Sequence, residues 1–309
     1  MTDNPKSFAF GFSGIEPLVE DFTVQFFHDF ARFFKPIFSE ASEFTQFDFI
    51  KFIVEPNENP IDPINNQIFT FAYSLGVDRT LKEHGCFPEM VAGFSLGIYA
   101  ALCSAGAVTL SDGLKMVQTA YELMERESRS AEFGVSAIVG LSDSDTAELI
   151  DLNQLNSIQK VNTLNDTCRI YSGTSEELAM MNRAAIEKGA ITAASLGVNI
   201  PYHHPEYLKN ASIDFRDFLK TLQWKNSEIP VISSIDQHAL TDKEALLEFT
   251  VLNLSTPIHW QRVVEKFSEL GCNHIVECGP GITLTQNGRF LETPIKYLNI
   301  RNIKKRLAF

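Results

Sequence analysis

Gly93-Phe94-Ser95-Leu96-Gly97 is the segment of this sequence whose residue types and spacing could do the most chemistry. Gly-x-Ser-x-Gly between an apolar strand and a helix describes a nucleophile elbow, a turn too tight for side chains at its flanking glycines. Such a turn lifts a serine hydroxyl out of the sheet to a helix N-terminus. It also aims the amide of the next residue, here Leu96, where an oxyanion would form. The plainer alternative is an ordinary serine in a strand-helix turn. The flanks favour the elbow: Met90-Val-Ala-Gly93 reads as a short strand, and Leu96 to Ala105 as a buried helix of small residues. A serine needs a base to attack at neutral pH. The candidates are His28, His84, His203, His204, His238, His259 and His274, of which His28 and His84 lie on helix-like segments and read as structural. His203 and His204 sit in Asn199-Ile-Pro-Tyr-His-His-Pro, a proline-bounded loop of the kind in which catalytic groups concentrate. The residues alone do not choose between the two.

A chain of 309 residues, 44% hydrophobic and 21% charged, has room for one large domain or a large and a small one to hold these groups. Ser7 to Phe12 alternates small and aromatic residues, as a first strand would. Phe22, Phe26, Phe30 and Phe33 then recur at helical spacing and read as core packing rather than an aromatic ligand pocket. A proline-rich loop from Asn57 to Asn66 is expected to deliver a helix from Gln67 to Gly85. From about Ser136 the pattern changes. Val135–Leu141 reads as strand, Asp143–Leu152 as helix capped by Ser142, Ile158–Thr163 and Arg169–Gly173 as strands, Ser175–Lys188 as helix ended by Gly189, and Ile191–Leu196 as strand. The order β-α-β-β-α-β points to a ferredoxin-like insertion. Ile229–Ser234 and Asn273–Cys278 read as further strands, with helices from Asp242 and around Val263–Leu270. The expectation is an α/β-hydrolase-like large domain with a parallel sheet, residues 1–130 and 199–309, interrupted by a ferredoxin-like small domain, residues 131–198.

A formal charge of −13 disfavours nucleic-acid binding, which needs a positive surface. Against that balance, Arg289, Lys296, Arg301, Lys304, Lys305 and Arg306 face a single acid, Glu292, which reads as a solvated basic tail or a docking point for an acidic partner. The five cysteines, Cys86, Cys103, Cys168, Cys272 and Cys278, are scattered and without a CxxC pair, so neither a disulfide framework nor a zinc knuckle is expected. No apolar run reaches membrane-spanning length and no signal-like start is seen, so the expected location is cytoplasmic.

Val91-Ala-Gly-Phe-Ser-Leu-Gly-Ile-Tyr-Ala-Ala-Leu-Cys-Ser-Ala-Gly-Ala resembles the elbow and following helix of malonyl-CoA:acyl-carrier-protein transacylases, G-H-S-L-G-E-Y-A-A-L-x-x-A-G. Val198-Asn-Ile-Pro-Tyr-His203-His-Pro is similar to that family's V-S-x-P-x-H-x-x. Leu252-Asn253-Leu254 through Pro257-Ile-His-Trp260 is similar to Q-L-x-x-P-V-x-W, and Glu277-Cys-Gly-Pro-Gly-Ile-Thr-Leu-Thr to E-x-G-P-G-x-x-L. The four segments fall in order between about Phe8 and Leu284. The resemblance implies Ser95 as nucleophile, His203 as its base and the main-chain carbonyl of Asn253 as the group that orients the imidazole. It also implies an oxyanion hole from the amides of Leu96 and Ile15, and ping-pong transfer from acyl-CoA to the phosphopantetheine thiol of an acyl carrier protein, without cofactor or metal. The departures are informative. Phe94 replaces the family's histidine, Ile98 its glutamate, Leu164 an asparagine of the acyl pocket, and Ala120 the arginine that clamps the malonyl carboxylate. The family's basic residues before the strand that leads to the histidine are here Gly189-Ala190-Ile191-Thr192. An apolar acyl pocket formed by Phe94, Ala120 and Leu164 implies an uncharged monocarboxylic acyl group. The competing readings are an acyl-thioester hydrolase on the same scaffold and a non-catalytic partner of a synthase.

Overall fold

The computed structural model describes residues 7–16, 19–56 and 59–305. The start of the chain, Pro17-Leu18, the beginning of the loop from Asn57 and the basic Arg306 lie outside the described residues. In chain order the elements are β1 Phe8–Phe12, α1 Asp21–Thr45, α2 Phe49–Val54, α3 Pro63–Glu83, β2 Met90–Gly93, α4 Gly97–Ser104 and α5 Leu110–Glu127. There follow β3 Phe133–Val139, α6 Asp143–Leu152, β4 Gln159–Asn165, β5 Cys168–Thr174, α7 Ser175–Glu187, β6 Thr192–Ser195 and α8 Lys209–Leu219. The chain continues as β7 Val231–Ile232, β8 Ala239–Leu240, α9 Lys243–Ser255, α10 Trp260–Glu269, β9 His274–Cys278, α11 Thr283–Gly288 and β10 Lys296–Leu298. None of the described helices is long and apolar enough to cross a membrane.

The chain divides into two compact units. The first takes residues 1–118, 222–247 and 263–309, and its sheet runs β10-β9-β1-β2-β7-β8. The expected parallel sheet is therefore mixed: β10 to β7 are parallel, but β8 pairs antiparallel with β7 at one edge. Phe12 is in register with both Gly93 and Cys278, so β1, β2 and β9 end at the same level. In open α/β sheets that carboxyl edge is where sites form. The Phe stripe is core, as its spacing predicts, with Phe26, Phe30 and Phe33 buried. The buried face of α1 is wider than the stripe, because Phe27, Phe34 and Phe38 are buried as well and pack with Phe69 and Tyr73 of α3. Helix α3 starts four residues before the expected Gln67: Asp62 accepts from the Asn65 amide at 2.9 Å, and Pro63 takes the first turn, where its missing N–H costs nothing. Arg289, Lys296, Arg301 and Lys304 of the basic C-terminal run are exposed, as expected, and two of them also meet acids or a ring of the first unit. Arg301 lies 3.9 Å over the Phe22 ring and 3.5 Å from Glu20, and Lys304 pairs with Asp29 of α1.

The second unit takes residues 119–221 and 248–262. Its antiparallel sheet has the order β4-β5-β3-β6, and its elements follow the expected β-α-β-β-α-β succession. Ser142 caps α6 in a reciprocal capping box with Asp145. Leu149 of α6 and Leu178 and Met181 of α7 close the core with Ile138 and Tyr171 of the sheet. This unit reaches beyond 131–198 for identifiable reasons. The Ile258 amide donates to the Val161 carbonyl at 2.9 Å, Arg216 of α8 forms a two-pronged ion pair with Glu248, and Ser212 bonds Ser255 at 2.7 Å.

Candidate functional site: a strained serine turn and a buried histidine

In the first unit, Ser95 sits between β2 and α4 in the left-handed region, φ 53°, which few non-glycine residues occupy. The strain is imposed by close approach on both sides. A Cβ on Gly93 would lie 2.1 Å from the Ile98 nitrogen, and one on Gly97 would lie 2.2 Å from the Phe12 carbonyl oxygen, so neither position admits another residue. The Phe94 amide donates to the Phe12 carbonyl at 2.9 Å, tying the turn to the end of β1. Leu96 caps α4 with helical φ and ψ, and Ser95 is partly exposed at that N-terminus. The loop after β1 lies against the same turn, for a Cβ on Gly14 would come within 2.9 Å of the Phe94 ring. Ile15 follows, partly exposed.

In the second unit, His203 is buried and also left-handed, φ 60°. Its Nδ1 lies 2.7 Å from the main-chain carbonyl oxygen of Asn253 on α9. A carbonyl can only accept, so Nδ1 carries the proton and the neutral ring has its lone pair on Nε2, the form a general base needs. Burial pushes the imidazole down to about 4, against the opposing pull of the Asn253 and Thr256 backbone groups, so the ring is neutral throughout the physiological range.

His204 is built differently. Its Nδ1 accepts from the amides of Glu206 and Tyr207, both at 3.3 Å, and its Nε2 donates to the Ser157 carbonyl at 3.1 Å. The ring also stacks on Tyr207, with centroids 4.2 Å apart. Both nitrogens are engaged with the backbone, which separates two neighbours that the sequence leaves equivalent.

Residues 42–296 match the acyl transferase domain family. The chain belongs to that family. Relatives of this acyltransferase include the malonyl CoA-acyl carrier protein transacylase of Bacillus subtilis, 28% identical over 254 residues that make up 81% of this chain and 80% of that protein. Among solved structures, the acyl-carrier-protein S-malonyltransferase of Burkholderia pseudomallei superposes with a TM-score of 0.87 at 26% identity, covering 98% of this chain and 100% of the other. The malonyl-transacylase of a type II polyketide synthase, solved in complex with its acyl-carrier protein, has a TM-score of 0.88 at 23% identity, with 96% of both chains covered, and shares the fold. A serine nucleophile is typical of the family.

The structure places the residues expected to line the acyl pocket of this acyltransferase as follows. Ala120 is buried on α5, and Met116, Val117 and Met124 on the same helix are buried with it. The arginines further along α5 are engaged at the surface: Arg126 pairs with Glu127 at 2.7 Å and Asp214 at 2.8 Å, and Arg129 with Glu125 at 3.4 Å. Leu164 is buried at the end of β4, and Phe94 is partly exposed in the serine turn. Sequence reading missed two buried acids at the carboxyl edge of the large sheet, Glu16 and Glu277. Glu277 accepts from the amides of Leu284 and Thr285, both at 2.8 Å, and burial still pushes its carboxyl up to about 8. Thr285, one residue beyond the E-x-G-P-G-x-x-L segment, also donates its hydroxyl to Glu277 at 2.5 Å, and nothing in the sequence reading singled it out.

The two histidines should separate in a mutant. His204→Ala removes three hydrogen bonds and a stacked ring, a packing loss of about 2 to 3 kcal/mol that should lower Tm by several degrees. Turnover per folded molecule, measured by CoA release, should fall less than about tenfold. A loss comparable to that of His203→Ala would transfer the role of base to His204.

Proposed function

We propose that this chain transfers an uncharged monocarboxylic acyl group from acyl-CoA to the phosphopantetheine thiol of an acyl carrier protein, through an acyl-Ser95 intermediate. Ser95 Oγ attacks the thioester carbonyl as His203 Nε2 takes its proton, while the amides of Leu96 and Ile15 hold the oxyanion. Collapse breaks the C–S bond, and the imidazolium returns the proton to the departing CoA thiolate. In the second half the carrier thiol gives its proton to His203, attacks the acyl-serine, and leaves Ser95 protonated again. The main-chain carbonyl of Asn253 does what a carboxylate does in a serine protease triad, fixing the tautomer and orienting the ring. Without a carboxylate the imidazolium gains less support, which fits a thioester, an easier acyl donor than an amide.

One observation carries this reading: the hydrogen bond of 2.7 Å from His203 Nδ1 to the Asn253 carbonyl, which leaves the ring in its base-competent tautomer. On the same reading the larger unit is α/β-hydrolase-like and residues 131–198 form a ferredoxin-like insertion, a proposal supported by the β4-β5-β3-β6 order. The test is intact-mass analysis after incubation with acetyl-, butyryl-, benzoyl- and malonyl-CoA. Wild type should gain one acyl mass and lose it on adding a holo acyl carrier protein, and Ser95→Ala should gain none. CoA release without an adduct would assign the chain to thioester hydrolysis, and no reaction with any donor would leave only a binding role.

A further inference from the structure

Three loops converge at the carboxyl edge where β9, β1 and β2 end. A Cβ on Gly279 would fall 1.8 Å from Ser13 Oγ, and one on Gly281 only 2.3 Å from the carboxyl carbon of Glu16, so the loop after β9 is closed onto the loop after β1. The latter in turn lies against Phe94, beside Ser95. Glu16 is held at both ends: Thr283 Oγ1 donates to its Oε2 at 2.8 Å, and Asn66 Nδ2 donates to its main-chain carbonyl at 3.2 Å. It is 7% exposed. An acid is a costly choice for such a place unless it is neutral or paired with a cation. The charged groups that act on it are the acids Glu20 and Glu277, and Glu20 itself faces Arg301 at 3.5 Å.

We propose that Glu16 is a positioning residue for the Ile15 amide, that it does this as a neutral carboxyl, and that its ionised form opposes the oxyanion. The inference rests on the acyl-transfer reading given above and adds to it a residue that neither the serine motif nor the histidine loop contains. The clamp anchors the loop after β1 one residue beyond Ile15, through both the side chain and the carbonyl of Glu16, and so limits how far the backbone that carries the Ile15 amide can turn. A carboxylate there would add a negative charge to the same loop that presents the Ile15 amide to the oxyanion. Two unit charges roughly 10 Å apart at an effective dielectric of about 20 change a rate by roughly tenfold. Burial, the largest influence, pushes the Glu16 carboxyl up to about 7, with Glu20 adding to the rise and Thr283 opposing it. The neutral form therefore prevails below that pH and the ionised form above it.

The experiment follows the acylation half-reaction by CoA release, with whichever acyl-CoA of the panel acylates Ser95 fastest, from pH 6 to pH 8.5. No acceptor thiol takes part, so no thiol nucleophile titrates, and the CoA phosphate, which ionises at about pH 6, is common to every variant. Wild-type kcat/KM should fall roughly tenfold across this range. Glu16→Ala and Thr283→Val, which cut the clamp, should lose roughly tenfold in kcat at pH 6 with little change in KM. Glu16→Gln, which keeps the shape without the charge, should recover most of that loss at pH 6 and stay flat to pH 8.5. A falling limb that persists in Glu16→Gln would overturn the proposal and assign that limb to another group, with Glu277 the first to examine. Wild-type kcat in Glu16→Ala at pH 6 would overturn it equally. Failure of every acyl-CoA to acylate Ser95 would sink the acyl-transfer reading itself, a result distinct from an active enzyme with the wrong pH profile.

Discussion

Ser95→Ala, His203→Ala and the double variant should all lose turnover by roughly 10,000-fold or more, and by similar factors rather than multiplicatively. A serine hydroxyl without its base is a poor nucleophile, and a base without a nucleophile has only water to activate, so removing the second partner removes little more. Asn253→Ala should cost far less than either, because the atom that bonds His203 Nδ1 is a main-chain oxygen that alanine also carries. The pH dependence has a definite sign. His203 works as a base only when neutral, and its proton affinity is pushed down to about 4, so the rising limb of kcat/KM should lie well below the ordinary histidine value of 6.5. The same shift bears on folding. A histidine depressed in the folded state contributes stability that is full above its unfolded value of about 6.5 and is lost as pH falls through about 4. Pre-steady-state CoA release on the three variants, each checked for an unchanged Tm, decides the matter. Multiplicative losses would mean that the two side chains act in separate steps, and the proposed base would have to be sought elsewhere.

The serine turn was legible because its constraints are local: five residues, a strand before and a helix after, and glycines forced by contacts within the same turn. The β-α-β-β-α-β succession was legible for a similar reason, each element being framed by its own cap or turn, as with Ser142 at α6 and Gly189, φ 103°, after α7. Helix α8 was missed although Ala211, Phe215 and Leu219 recur every four residues, because the residue before it, Leu208, has no side chain that could cap it and announce the start. Choosing between His203 and His204 needed partners that lie about 50 residues away in both cases, Asn253 for one and Ser157 for the other. The partners of Arg301 and Lys304 in the exposed basic run were out of reach of the sequence for the same reason, since Glu20 and Asp29 come from the other end of the chain. Glu16 was invisible as a buried group, because an acid in a loop is exposed by default and only the fold brings Thr283 and Gly281 against it.

Malonyl-CoA should be a poor substrate. Its free carboxylate must enter the acyl pocket, and burying an ionised carboxylate without a partner costs several kcal/mol. Malonyl transacylases meet that cost with an arginine, whose two-pronged geometry matches the carboxylate. On the proposed reading the corresponding residue here is Ala120, buried on α5 with Met116, Val117 and Met124. The next cations on that helix, Arg126 and Arg129, lie more than a turn beyond Ala120, are exposed, and pair with Glu127, Asp214 and Glu125 at the surface. Leu164, in place of a polar residue, adds nothing that could accept or donate. Removing one partner of a buried charge pair costs roughly 2 to 5 kcal/mol, and each 1.4 kcal/mol is about tenfold, so malonyl should be disfavoured by a factor of roughly 30 to several thousand. An uncharged acyl group escapes that penalty. The measurement is kcat/KM for acetyl-, butyryl-, benzoyl- and malonyl-CoA on the wild type and on Ala120→Arg. The wild type should rank malonyl last, and the substitution should shift the ratio towards malonyl even where the added bulk lowers every rate. A wild type that prefers malonyl-CoA would mean that a cation from another element reaches the carboxylate, and the chain would then be a malonyl transacylase with an unfamiliar clamp.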